Sequence, residues 1–312
     1  MAGRATLSAA ISGRMIGRYG DVPPVTGVGG RADMSWVAAA CIIAALLVPA
    51  SILTNSAMIA VTCALLLIGG LPHGALDLAI LRRDAEQHIA LVVSLYLGLV
   101  AVMFATWLAT PMLALALFMV MATTHFAEDW SDCEHPFFAL GIAVATLSAP
   151  ALLHRDAVRD LFVLLTGDQE AAGVADALLL VAPLTAACTL VAIPLLWTRG
   201  HRVTAAKAGC AITAMILLPP ITGFAIYFCL VHSPVHFRAG LERLGTSTGI
   251  ARPTIIATFG GLAIALAALP FLPAAGLSGR MFMTSFMTLS VLTLPHMAVP
   301  LIIRRLGLRA RT

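Results

Sequence analysis

Apolar runs of about twenty residues, separated by short polar or proline-bearing stretches, recur from residue 35 to residue 303. At about 1.5 Å of rise per helical residue, such a run crosses the roughly 30 Å hydrocarbon core of a bilayer. The pattern predicts an all-α fold, a polytopic transmembrane helical bundle of about eight to ten segments. Helices are expected at Trp36–Leu53, Ser56–Ile80, Ile89–Leu108, Pro111–Ala127, Pro136–Leu153 and Gly173–Trp197. A long run follows from Ala208 to His236, interrupted by Pro219-Pro220, and then come Pro253–Leu272 and Met281–Ile303. The more polar stretch Arg155–Ala172 reads as a short interfacial helix. The ten-residue alternation that marks a membrane barrel is missing.

Composition sharpens this reading. Hydrophobic residues make up 60% of the 312 positions and charged residues 11%, with a mean hydropathy of +0.97, far from the balance of a water-soluble domain. The net charge of +4 comes mostly from arginines near span ends, with Lys207 the sole lysine. That placement fits membrane orientation and speaks against nucleic acid as a partner. The six cysteines are scattered, mostly inside apolar runs, without a C-x2-C pair, and read as small buried hydrophobes. Residues 1–34 carry Arg4, Arg14, Arg18 and Arg31 among Gly, Ser and Pro and lack a signal-peptide core, so they are expected to form a disordered basic tail. Residues 35–303 would be the membrane domain and 304–312 a basic tail. The first apolar run would stay as a helix, placing the chain, multi-pass, in the inner (plasma) membrane among lipid.

Arginine also sets the topology. With the amino terminus inside, Arg82-Arg83 and the group Arg199, Arg202 and Lys207 fall inside. A single crossing by Ala208–His236 would put Arg238, Arg243 and the carboxy-terminal arginines outside. A break at Pro219-Pro220 that turns this run into two segments returns them inside, and that arrangement is expected.

Five of the nine histidines, His73, His125, His232, His236 and His296, lie in or at the ends of apolar runs. An ionisable side chain is costly in hydrocarbon, so intramembrane histidines mark a functional site by default. His232 and His236, four apart, share one helix face and can share an ion. His73 precedes Asp77 by four and His125 precedes Asp129 by four. Each aspartate is expected to reach back to its own histidine and fix its tautomer, whereas Glu128, Asp132 and Glu134 read as an acidic loop. The shared site is expected near the cytoplasmic side. Imidazole ligands without cysteine suit a redox metal that meets dioxygen, and zinc fits the same donors. Neither the H-x2-H-H cluster of lipid desaturases nor the H-E-x2-H of zinc proteases occurs.

The run Gly70-Leu71-Pro72-His73-Gly74-Ala75-Leu76-Asp77 resembles the P-H-G-A-L-D signature of the Brp/Blh family of bacterial membrane β-carotene 15,15′-dioxygenases. His125-Phe126-Ala127-Glu128-Asp129 resembles its H-F-G-x-D motif, His232-Ser233-Pro234-Val235-His236 its W-H-S-x-R-H motif, and Leu294-Pro295-His296-Met297 its late P-H-M element. The order is the family's, over residues 56 to 303. The resemblance implies non-haem Fe(II) held by His73, His125, His232 and His236, with Asp77, Asp129 and His296 behind them. It further implies cleavage of β-carotene by O2 at the central double bond, giving retinal, with a functional link to a retinal-binding rhodopsin. The sequence departs from the family at Leu78 (histidine), Ala127 (glycine), Val231 (tryptophan) and Val235 (arginine). None of these is a proposed ligand, and all bear on which carotenoid is taken. The polyene would arrive laterally from the bilayer, in a cleft for which Phe224, Tyr227, Phe228, Phe282, Met283, Phe286 and Met287 are candidates. Two other uses of intramembrane histidines compete: axial ligation of a b-type haem, and metal-ion or proton transport around the Pro219-Pro220 break.

Overall fold

The computed structural model describes residues 34–245, 251–273 and 276–306. The expected tail at 1–34 falls outside them except for Met34, as do residues 307–312 of the carboxy-terminal one. Among the described residues there are helices and no strands. In chain order they are α1 (Ser35–Leu46), α2 (Ala50–Leu53), α3 (Ser56–Asp84), α4 (Ile89–Ala109), α5 (Pro111–Ala127), α6 (Pro136–Ser148) and α7 (Pro150–Thr166). Then follow α8 (Ala172–Thr198), α9 (Arg202–Leu217), α10 (Pro220–Tyr227), α11 (Ser233–Leu244), α12 (Ala251–Ala268) and α13 (Gly276–Leu306). A π-helical turn, Phe228–His232, joins α10 to α11.

Prolines start several of these helices. Pro111, Pro136, Pro150 and Pro220 stand in the first turn of α5, α6, α7 and α10, where a missing N–H costs nothing. Asn55 caps α3 by accepting the Met58 N–H at 2.8 Å. The chain also bends by 49° between α6 and α7, and α7 itself is kinked at His154 (φ −127°, ψ 35°), between Leu153 and Arg155, where the sequence predicts the change from span to interfacial helix.

Among the described residues, six helices are long and apolar enough to cross a membrane, seven if the bent α6–α7 pair counts as one span. Helix α1, with 12 residues, is short for a span. The Pro219-Pro220 break is a hairpin. Leu218 is extended (φ −97°, ψ 156°) before the proline pair, and Gly223 lies so close to α9 that an added Cβ would sit 2.5 Å from the Ala214 carbonyl oxygen. The far ends of both arms meet the same turn: Thr204 bonds Asp132, and His232 and His236 bond Asp129. The hairpin puts Arg238 and Arg243 at the same end of the bundle as Arg83 and Arg199. There Arg243 pairs with Asp84 and Arg199 with Glu134.

Helix α3 is the axis, packed against α11, α12 and α13, while α8 packs against α6, α7 and α9. Small residues allow the close approaches, as at Gly141 against Cys188 between α6 and α8. Large apolar side chains point outwards instead, Leu180 83% and Phe271 87% exposed, as a lipid-facing surface requires. None of the six cysteines, all among the described residues, forms a disulfide.

Candidate metal centre

Three of the five histidines, His73, His232 and His296, sit at or beside a helix irregularity. His73 follows Pro72 inside α3, and His296 follows Pro295 inside α13. His125 stands in the last turn of α5. His232 closes the π-turn, with His236 one turn on in α11. Prolines and π-turns loosen the i to i−4 ladder and re-aim side chains, and π-turns recur at functional sites.

The structure brings all five imidazoles together. Ring centroids are 4.5 Å apart for His125–His236 and for His232–His236, 4.8 Å for His125–His232, 5.4 Å for His73–His232 and 5.0 Å for His125–His296. His73, His125 and His232 can offer one nitrogen each within 4.8 Å of one another. The triplets His125, His236, His296 and Asp129, His232, His236 meet the same limit.

The aspartates do not serve their own histidines, and here the sequence expectation is corrected. Asp77 accepts from His296 Nδ1 of α13 at 2.7 Å. Asp129 takes His232 Nδ1 at 2.9 Å on Oδ2 and His236 Nε2 at 2.9 Å on Oδ1. A carboxylate one helical turn beyond a histidine that already points at the cluster lies nearer to the neighbouring helix than to that imidazole. Tyr227, expected in the polyene cleft, is fully buried and donates its hydroxyl to Asp129 Oδ2 at 2.6 Å.

Two residues were missed. Glu128, read as part of an acidic loop, lies with Oε2 3.3 Å from His125 Nδ1, in the turn Glu128–Trp130. Its i, i+3 spacing from His125 was the available signal. Ser233 donates to the Gly69 carbonyl at 2.6 Å and stands 3.3 Å from His73 Nδ1, whose N–H it can accept. Nothing in a lone serine announces that role.

The cluster ends in unmet valence. The Nε2 atoms of His125, His232 and His296 are buried without any hydrogen-bond partner. An imidazole whose Nδ1–H is held by a carboxylate carries its lone pair on Nε2, and a buried lone pair without a donor is expensive. Several such lone pairs converging among neutral imidazoles fit a divalent metal ion.

A cavity of about 40 Å³ adjoins the cluster, lined by Gly70, Gly74, Phe118, Phe126, Leu289 and Leu292 besides the histidines. Of the cleft candidates, Phe224 and Phe228 line it. From His232 a file of rings runs through Phe228, Phe224, Phe286 and Phe282, with centroid steps of 5.0, 5.4, 5.3 and 4.6 Å. Met283 is buried in the core and Met287 packs against it.

A model of the beta-carotene 15,15'-dioxygenase family matches residues 63–303. A curated relative, the beta-carotene 15,15'-dioxygenase of an uncultured marine bacterium (66A03), is 28% identical over 261 residues, covering 75% of this chain and 90% of the relative. No solved structure matches the chain.

Proposed function

The chain belongs to the beta-carotene 15,15'-dioxygenase family, and from that membership we propose that it cleaves the central 15,15′ double bond of β-carotene, or of a related carotenoid, to retinal. The observation that carries the reading is the convergence of imidazoles with buried, unpartnered nitrogens beside an apolar, aromatic-walled cavity. His73, His125, His232 and His236 would hold Fe(II), which supplies the means of bringing dioxygen to react with an alkene. In the balanced reaction the C15–C15′ double bond breaks and each carbon takes one oxygen atom of O2. No external reductant is needed and no proton is taken up or released.

That balance explains how the polar residues are used. With no proton to move, the carboxylates are free to orient imidazoles instead of serving as acid or base. Asp129 fixes His232 and His236 together, Ser233 fixes His73 and Glu128 fixes His125. Phe126 and Phe228 pack edge-on and stacked against His232 and keep water from the reacting carbons. The phenylalanine file offers one wall for a polyene chain. The cavity is far smaller than a carotenoid, so the substrate, arriving from the bilayer, must part the side chains that close it.

The cluster speaks less well for the rivals. A b-type haem needs a porphyrin plane between its two axial imidazoles, whereas here several rings crowd one point. A transport path would be expected to be lined by polar groups, and this cavity is lined mainly by apolar ones. The reading extends to an inner-membrane location, with the arginine-rich end of the bundle inside, and to supply of retinal to a rhodopsin.

The test is expression in bacteria that accumulate β-carotene, with chromatography for retinal. Wild type should bleach the cells and form retinal. His73→Ala, at equal membrane levels, should not. Unchanged β-carotene with the protein verified in the membrane would overturn this substrate.

A further inference from the structure

His296 shares the features that mark His125 and His232 as candidate ligands. Its Nδ1 is held from outside by Asp77 at 2.7 Å, as His232 Nδ1 is held by Asp129 at 2.9 Å and His125 Nδ1 faces Glu128 at 3.3 Å. Its Nε2 is buried without a partner, as are those of His125 and His232. It stands inside the cluster: its ring centroid is 5.0 Å from His125 and 5.6 Å from His73, and it forms a ligand-capable triplet with His125 and His236. His73 differs in having the Ser233 hydroxyl behind Nδ1, and His236 in that its Nε2 is spent on Asp129, so that only Nδ1 remains to face an ion.

We propose that His296 binds the metal directly through Nε2, and that Asp77 is its positioning residue. The inference rests on the metal-dependent reading above and enlarges its donor set to five imidazoles. A chain element is thereby given a purpose. Helix α13 is brought to α3 by the Asp77–His296 bond, and Pro295 places the imidazole one residue beyond a gap in the helical ladder.

The test uses the full chain purified in detergent and loaded anaerobically with Fe(II). Iron content and affinity are read by chelator competition, and the surroundings of the metal by the electron paramagnetic resonance of the nitric oxide adduct. His296→Ala should lower iron affinity and change the nitrosyl spectrum. His296→Gly should recover both when free imidazole is supplied, a rescue that a purely structural role would not show. Asp77→Leu keeps the imidazole but removes its acceptor and should weaken binding by about 10–100-fold, as loss of a partner behind a ligating histidine does. It also serves where the alanine variant fails to fold. If His296→Ala matches wild type in affinity and spectrum, or if it fails to fold and Asp77→Leu, which leaves His296 Nδ1 without an acceptor, matches wild type in both, His296 is not a ligand, and the four-histidine reading stands. If the wild type forms retinal yet binds no iron, the metal reading falls and this inference with it.

Discussion

Asp129→Asn exchanges one acceptor oxygen for a donor NH2 with almost no change of volume, at the residue that ties the site together. Oδ2 accepts from Tyr227 at 2.6 Å and from His232 at 2.9 Å, and Oδ1 accepts from His236 at 2.9 Å. The amide oxygen can keep one side of this set, and the NH2 then confronts an imidazole N–H. That imidazole escapes only by shifting its proton to its other nitrogen, the one facing the cluster, where a proton excludes a metal. The substitution therefore withdraws a ligand without removing an imidazole. Iron affinity should fall by about 10–100-fold, equivalent to about 1.4 to 2.8 kcal/mol. The measurement is anaerobic Fe(II) titration against a chelator, with retinal formation followed in parallel at limiting iron. Affinity and turnover should fall together and excess Fe(II) should restore much of the rate. Unchanged affinity, whatever happens to turnover, would refute the reasoning.

Four further outcomes rest on packing and topology. Gly70→Ala would place a Cβ 2.5 Å from Phe228 Cε1 and 3.3 Å from Leu289 Cδ2, pushing Phe228 off His232; a loss of about 1–3 kcal/mol should appear as a lower melting temperature and less retinal. Gly98→Ala, with nothing within 4 Å, should leave both unchanged. Gly223→Ala meets the Ala214 carbonyl oxygen at 2.5 Å, and because backbone cannot yield as a side chain does, it should cut the yield of folded protein in the membrane. In a variant lacking native cysteines, a cysteine in place of Gly200 should resist a membrane-impermeant thiol reagent applied to intact spheroplasts. One in place of Gly167 should react, and the reverse pattern would invert the proposed orientation.

The spans were legible because their signal is long and local. Twenty apolar residues mean the same thing wherever they occur, and the boundaries of α3, α4 and α5 fall within a few residues of the expected ones. The Pro219-Pro220 hairpin was legible because arginine placement and proline chemistry pointed to the same break. The histidines were visible as polar residues in apolar runs. Their partners were not, because partnership is a long-range property: Asp77 and His296 are 219 positions apart, and Asp129 and His232 are 103 apart. Spacing along one helix suggested the nearer histidine, and geometry between helices chose the farther one. Ser233 and Glu128 were hidden for the same reason, ordinary residues whose meaning comes from the imidazoles they face.

The polar network is closed on its outer side and open on its inner side, and this has a thermodynamic consequence. Carboxylates within apolar helices are costly, and Asp77 and Asp129 offset that cost by accepting imidazole and phenol donors. The lone pairs on the inner Nε2 atoms have no such compensation, and protonating them all would gather like charges in a medium that screens them poorly. A divalent ion satisfies them at once. It therefore should bind the folded protein far better than the unfolded chain, and stabilise it by about 2.7 kcal/mol when present at a hundred times its dissociation constant. Chelation should accordingly lower the melting temperature of the detergent-solubilised protein, and Fe(II) or Co(II) should raise it again. The increment should shrink in His125→Ala and in His232→Ala. Identical melting curves for chelated and metal-loaded wild type would mean that the buried nitrogens are satisfied in some other way, and the metal assignment would fail.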